Sequence, residues 1–296
     1  MSLTPEQLQK LAQPLIDIYL AIESDLLKNL ARTIARFKNL VVTTEDGLID
    51  YQHWRLVQLN NIGQLTNENI KILSQYSGAT VKEIKDMIKL AGYESIAADE
   101  EIYRKAIKKG LLPNASLSTV ESVAVGNILL AYQKQALKTF NLINTTMLNQ
   151  SKQIYLDTIN KVVGKMLTGT ITHDQAIRET VQEWSKTGIP SLIDKRGRKW
   201  TTEAYVSMVA RSTSNNVANE TQFARMDEFE SDLLEVSSHL GARPKCYPWQ
   251  GAIYSRSGKH PDYKAWSETS YGDVAGLLGI NCRHKIYPFF EGLSKP

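Results

Sequence analysis

The residues best suited to chemistry lie near the C-terminal end of the chain. Cys282 and His284 are two positions apart, and on a strand such side chains share one face. With Cys246, His239 and His260 they are the side-chain types that bind zinc. However, there is no CxxC or HxxxH pair, and the intervals of 14 and 22 residues between candidates match no usual zinc pattern. We therefore expect no metal here and favour buried thiols with hydrogen-bonded histidines.

A cysteine near a histidine can also act as a nucleophile. Catalysis by Cys282 would need an imidazole within reach and a third group to orient it, and sequence adjacency to His284 does not establish that geometry. The sequence contains no P-loop, HExxH or GxSxG motif, so we predict no catalytic residue and no cofactor. An enzyme that acts on nucleic acid or protein through this Cys/His region is the alternative.

Basic residues are concentrated in the same part of the chain. The net charge is +4, and residues 239–296 contain eight Lys or Arg against four Asp or Glu, so residues 1–238 balance out. A basic tail on a neutral body is compatible with a polyanion such as double-stranded DNA. An ordinary protein surface is the other interpretation.

The elements that position these residues are mostly helices. Apolar residues recur every three or four positions from Leu8 to Phe37, which predicts a long amphipathic helix over 6–38. Val41–Asp50 interrupts the pattern and predicts a turn or short hairpin. Shorter helices are expected near 51–62, 65–76, 80–91 and 98–109. Thr80 and Glu83 have the spacing of a capping box that would start one of them.

The next part of the chain reads as longer helices. A helical region is predicted over 118–167, with a possible break near Asn149. Thr172 and Gln175 are spaced to cap the following helix, and a loop over 188–200 precedes a last helix near 201–229. That last helix has Ser212, Asn216 and Asn219 within its apolar stripe. Hydrogen bonds to a neighbouring helix are the interpretation that we favour, and a surface on which Arg211 and Asn216 face a partner is the alternative.

Composition changes after about Leu233. Residues 239–296 hold seven of the 17 Gly, five of the nine Pro and both Cys. Short β-type runs replace the helical period: LLEVSSH, AIYS and HKIYPFF. The sequence therefore predicts a mainly α fold in three parts: an N-terminal helical region (1–115), a long-helix region (116–230) and a small α+β C-terminal module (231–296).

Two runs in the module carry a family resemblance. SSHLGARPKCYPWQGAIYS (237–255) and YGDVAGLLGINCRHKIYPFFEG (271–292), with IDKRGRKWTTEAYVSMVARS (193–212) upstream, resemble the phage minor capsid protein 2 family, which is similar to the Mu F-type minor head proteins. The chain departs from many relatives at Leu278, where they have Cys. The residues that we take as the structural or binding signature are His239, Arg243, Trp249, Gln250, Gly251, Asn281, Cys282, Arg283 and His284.

The resemblance implies a structural component of the virion rather than an enzyme. Such a protein would sit in the phage head, dock on the portal protein and on capsid or scaffold proteins, and assist head assembly or DNA packaging. The sequence has no run of roughly 18–20 apolar residues and no secretory signal, so we expect no membrane partner and synthesis in the host cytoplasm.

Overall fold

A computed structural model describes residues 4–37, 43, 45, 50–97, 99–113, 122–167 and 171–294. The predicted mainly α fold with a small α+β C-terminal part is confirmed. The helices are α1 (Pro5–Phe37), α2 (Tyr51–Asn60), α3 (Ile62–Ala97), α4 (Glu100–Lys108), α5 (Val123–Leu167), α6 (His173–Thr187) and α7 (Thr202–Glu228). The strands are β1 (Leu192–Ile193), β2 (Lys199–Trp200), β3 (Leu233–Val236), β4 (Ile253–Ser255), β5 (Lys264–Ala265) and β6 (Ile286–Pro288). Most of the turn or hairpin predicted at 41–50 lies outside the described residues.

The first helix confirms the prediction made from apolar periodicity. Its buried side chains, among them Leu15, Ile22, Leu26 and Leu30, recur at intervals of four or seven residues along one face. Because one continuous stripe is buried, the helix runs as a single element from Pro5 to Phe37.

The two helices predicted at 65–76 and 80–91 are one helix, α3, so that prediction was wrong. The hydroxyl of Thr80 donates to the carbonyl of Tyr76 at 2.9 Å, a bond made inside a helix rather than at its start. Gly78 in a helix interior costs about 1 kcal/mol. The buried face that continues on both sides of Gly78, through Leu65 and Ile84, outweighs that cost.

The later helices follow the sequence more closely. Helix α5 is continuous through Asn149, so the break considered there is absent, and residues 118–121 of the prediction lie outside the described residues. Thr172 and Gln175 form the predicted capping box at the start of α6. The loop expected over 188–200 contains a short antiparallel pair, β1 and β2, with Leu192 opposite Trp200.

The chain divides into two compact units. One unit comprises Leu15–Val81 and Lys138–Val206. Its core includes Trp54, Tyr155 and Trp184, and the Tyr155 hydroxyl donates to Gln58 Oε1 at 2.8 Å. A buried polar chain crosses this core: Asn29 Nδ2 donates to Asn69 Oδ1 at 2.8 Å, and Asn69 Nδ2 donates to Ser151 Oγ at 2.9 Å. These bonds satisfy amides that would otherwise be buried without partners.

The other unit comprises Met1–Pro14, Lys82–Leu137 and Ser207–Pro296. It contains a four-stranded sheet in the order β5-β4-β3-β6. Strand β3 pairs antiparallel with both β4 and β6, while β4 and β5 are parallel. The predicted β-type runs correspond to β3, β4 and β6, whereas β5 was not predicted. The three-part division of the sequence stays a prediction.

Two clusters fill the core of this unit. Under the sheet, Met226 of α7 packs with Val236, Tyr254 and Trp266. At the second cluster, the rings of Tyr103 and Phe229 stack with centroids 4.3 Å apart, and Phe290 meets Tyr103 edge-on. None of the helices in the described ranges combines the length and apolarity that a bilayer crossing needs.

Candidate functional site

The pairing of β3 with β6 brings the first and last parts of the signature together. Beyond the paired residues Val236 and Ile286, the Ser237 amide donates to the Lys285 carbonyl at 2.8 Å. The segment after β3 therefore runs beside the segment before β6. As a result, the rings of His239 and His284 lie with centroids 4.3 Å apart.

Gln250 connects the two histidines. Its Oε1 accepts a hydrogen bond from the His239 backbone amide at 3.2 Å and lies 3.1 Å from His284 Nε2. Because a carbonyl oxygen only accepts, this arrangement assigns the proton of His284 to Nε2. The other ring nitrogen, Nδ1, then carries a lone pair and lies 3.3 Å from Cys282 Sγ.

Both cysteines are buried free thiols, and they lie beside His284. One ligand atom from each of Cys246, Cys282 and His284 can be chosen so that all three lie within 4.8 Å of one another. Burial raises the pKa of Cys282 above its ordinary value. Burial also lowers the pKa of His284 to about 4, so the imidazole is neutral at pH 7.

Arg243 holds the turn that carries Cys282. Its guanidinium donates to the carbonyls of Ile280 at 2.8 Å and Gly276 at 3.3 Å, and to Cys246 Sγ at 3.8 Å. In this turn Leu278 has φ 58° and Asn281 has φ 57°. Asparagine adopts this left-handed conformation readily, whereas leucine does so at a cost in strain.

Two asparagines of α7 hold the same segment from the other side. Asn215 Nδ2 donates to the Cys282 carbonyl at 3.1 Å, and Asn219 Oδ1 accepts from the Ile286 amide at 3.2 Å. The signature omitted both residues. The polar interruption of the α7 stripe, for which the sequence favours contacts between helices, includes Asn219; Asn215 lies outside that stripe. The asparagines instead support the backbone that leads into β6.

The remaining signature residues have different roles. Trp249 is half-buried at the end of a 3₁₀ turn, and its carbonyl accepts from the Tyr254 hydroxyl at 3.1 Å. Gly251 has φ 65°, which favours glycine, and its amide donates to the Val236 carbonyl at 2.9 Å. Asn281 and Arg283 are exposed.

His260, the other histidine considered from the sequence, lies apart from this set. Its ring packs against Tyr263 with centroids 4.8 Å apart, and its Nε2 lies 4.0 Å from Glu291 Oε2. The signature residues that the structure brings together are thus His239, Arg243, Gln250, Cys282 and His284, with Cys246 added; we call these six residues the Cys/His cluster.

These features define a mainly helical protein whose small C-terminal sheet is extended by loops that buried polar side chains hold in place. The chain belongs to the phage minor capsid protein 2 family, which matches residues 3–296. A structural protein of Lactococcus phage LL-H is 31% identical over 254 residues, covering 81% of this chain and 67% of that protein. A structural protein of Lactococcus phage mv4 is 46% identical over 35 residues, covering 12% of this chain and 28% of that protein. No solved structure matches. This protein is therefore a phage structural protein of the minor capsid class.

Proposed function

We propose that this protein docks on the portal protein at the inner face of the phage head and assists head assembly or DNA packaging. Membership of a minor capsid family over nearly the whole chain supports a role in the particle. The portal is the partner that the resemblance over residues 120–292 implies, and binding rather than catalysis is the activity that this proposal assigns to the surface.

The observation that carries the proposal is the exposure of large apolar side chains on the loops of the Cys/His cluster. Leu240 is 100% exposed, Val274 is 72% exposed and Ile280 is 54% exposed. The Ile280 amide donates to the Val274 carbonyl at 3.0 Å, so these two residues share one turn. Arg243 holds that turn in place. Rigid loops that present apolar side chains to solvent are typical of surfaces that bind another protein.

The start of α5 offers further apolar surface in the same unit. Val123 and Leu130 are exposed and lie seven residues apart, which places them on one face of the helix. A long helix with an exposed apolar face is suited to packing against a partner helix. Other residues of α5, including Val125 and Leu129, are buried within the protein, so only part of the helix is available.

Co-expression with the portal protein of the same phage tests the proposal. The tagged wild-type chain should recover the portal protein. A Val274→Ser, Ile280→Ser double variant should recover at least about tenfold less, because a loss of about 1.4 kcal/mol of binding free energy weakens binding about tenfold. A Leu56→Ser, Ile70→Ser variant is the matched control, because these side chains are also exposed but lie on α2 and α3. Equal recovery by all three chains, or none by wild type, would contradict the proposal.

One contact in the structure favours the enzymatic alternative: Cys282 Sγ lies 3.3 Å from His284 Nδ1. A nucleophilic cysteine needs a thiolate that a substrate can reach. Both side chains are buried, and burial raises the pKa of Cys282, which favours the neutral thiol. These properties support a structural role for the pair.

A DNA-binding role through the basic tail is the other alternative. Some of its basic residues already have acidic partners, since Lys245 lies 3.0 Å from Asp273 and Arg256 pairs with Asp227. Binding through the tail would weaken steeply with salt concentration, because each neutralised phosphate releases counterions. A titration of duplex DNA at two salt concentrations distinguishes this role from portal binding.

A further inference from the structure

We propose that Cys246, Cys282 and His284 bind a zinc ion that stabilises the loops of the C-terminal sheet. The sequence argued against a metal, because Cys246 and Cys282 are 36 positions apart and belong to no metal-binding motif. The fold removes that objection by bringing the three ligand atoms to within 4.8 Å of one another. This inference does not depend on the partner proposed above.

The distances suit a tetrahedral site. With Zn–S bonds of about 2.3 Å and Zn–N bonds of about 2.0–2.1 Å, neighbouring ligand atoms lie roughly 3.5–3.8 Å apart. Cys282 Sγ and His284 Nδ1 are already 3.3 Å apart. Two sulfurs and one imidazole nitrogen are a donor set that selects zinc over oxygen-preferring ions such as Mg²⁺ and Ca²⁺.

His284 has the orientation of a metal ligand. Its Nε2–H donates to Gln250 Oε1, which leaves the Nδ1 lone pair facing Cys282. A hydrogen-bond acceptor on the far ring nitrogen fixes the tautomer and the ring orientation of most metal-binding histidines. Gln250 is in turn held by the His239 amide, so the imidazole needs no rearrangement to bind an ion.

The sulfurs accept hydrogen bonds from groups that stabilise thiolates. The Leu278 amide lies 3.2 Å from Cys282 Sγ, and Arg243 Nη2 lies 3.8 Å from Cys246 Sγ. Burial disfavours a thiolate that has no cation beside it. A Zn²⁺ ion balances two thiolates, so the bound state avoids an uncompensated buried charge.

A second imidazole, that of His239, packs against the His284 ring with centroids 4.3 Å apart. His239 Nδ1 is 3.0 Å from the Leu240 carbonyl and therefore carries the proton. Its Nε2 is buried and has no hydrogen-bond partner within the part of the chain that the structure describes. Such an unpaired acceptor is costly in a folded protein. The three side chains leave the fourth position of the tetrahedron to a water molecule or to His239, whose ring must turn first because it is not among the ligands within 4.8 Å of one another.

Metal content and cobalt spectroscopy of the full chain test the proposal. Protein purified in reductant without chelator should contain about one zinc per chain, as a structural site does. Replacement by Co²⁺ should give the sulfur-to-cobalt charge-transfer band and the intense visible bands of tetrahedral thiolate ligation. Cys246→Ser and Cys282→Ser should each abolish the charge-transfer band or reduce it strongly. His260→Ala, which changes a histidine outside the Cys/His cluster, should leave it unchanged.

Thermal unfolding tests the proposal on the wild-type chain, so the result does not depend on whether the variants fold. A strong chelator should lower the melting temperature of zinc-loaded protein, and added zinc should restore it. Folded, reduced protein that takes up no zinc and shows no thiolate-to-cobalt band would overturn the proposal. Retention of the cobalt band in both cysteine variants would overturn it as well.

Discussion

Arg225 Nη2 lies 2.6 Å from Glu100 Oε1, although the Arg225 side chain is only 1% exposed. The guanidinium also pairs with Glu228, and it lies over the Phe229 ring at 4.6 Å from the centroid. A full positive charge of α7 is therefore enclosed by carboxylates of α4 and α7. An arrangement of this kind stabilises the fold only while all of its members are present.

Removal of Arg225 should destabilise the protein strongly. We expect Arg225→Ala to lower the free energy of unfolding by about 3 kcal/mol, because two carboxylates lose their partner in a poorly hydrated site. Urea denaturation followed by circular dichroism measures this loss. Lys161→Ala is the control, since Lys161 forms its pair with Glu183 in solvent, and its midpoint should match wild type. Equal midpoints for both variants would contradict the importance of the buried charge.

The two tryptophans of the C-terminal sheet should differ in their contribution to stability. Trp266 is 8% exposed within the cluster under the sheet, whereas Trp249 is half-buried at its edge. Trp266→Ala should cost about 3–5 kcal/mol, the range for a large buried aromatic side chain. Trp249→Ala should cost clearly less. Paired denaturation curves decide the order, and a larger loss for Trp249 would contradict the assignment of Trp266 as the anchor.

A hydrogen bond in the unit formed by Leu15–Val81 and Lys138–Val206 should make the free energy of unfolding depend on pH. The Tyr76 hydroxyl donates to Asp25 Oδ2 at 2.7 Å, and this bond, with a smaller effect of Lys28, lowers the pKa of Asp25 from its ordinary value of 3.8. A carboxyl group with a lowered pKa stabilises the folded state above its unfolded pKa, and that stabilisation is lost as the pH falls through the folded pKa.

Tyr76→Phe should therefore be most destabilising near neutral pH, and its effect should shrink below about pH 4. Denaturation of the variant and of wild type across this range measures the difference. In an Asp25→Asn background the effect of Tyr76→Phe should no longer vary with pH. If the stability difference between wild type and Tyr76→Phe, both with Asp25 intact, stays constant from neutral to acid pH, the hydrogen bond does not lower the pKa of Asp25.

Periodicity was sufficient to predict helices that bury one uninterrupted face. For α1 it gave both ends to within one residue. It failed at α3, where Thr80 and Glu83 looked like the start of a separate helix. Local signals of this kind are worth about 1 kcal/mol each. A continuous buried stripe contributes more, and the sequence window around Gly78 does not reveal whether that stripe has a surface to pack against.

The residues of the Cys/His cluster could be predicted only in part, because their proximity depends on strand pairing that the sequence does not show directly. The resemblance pointed to His239, Gln250 and His284, but the proximity of Cys246 to Cys282 comes from the pairing of β3 with β6. The sequence also did not single out Trp266, which packs against Tyr254 and Phe223 under the sheet at ring-centroid distances of 5.8 and 6.0 Å.

Quantitative mass spectrometry of purified phage heads tests the central claim most directly. If the protein is a portal-docking minor head protein, its peptides should be present in intact, nuclease-treated heads at a low copy number relative to the major capsid protein. The Val274→Ser, Ile280→Ser chain should be depleted from those heads, while the Leu56→Ser, Ile70→Ser chain should be retained. Heads that are complete, infectious and free of this protein would contradict the account.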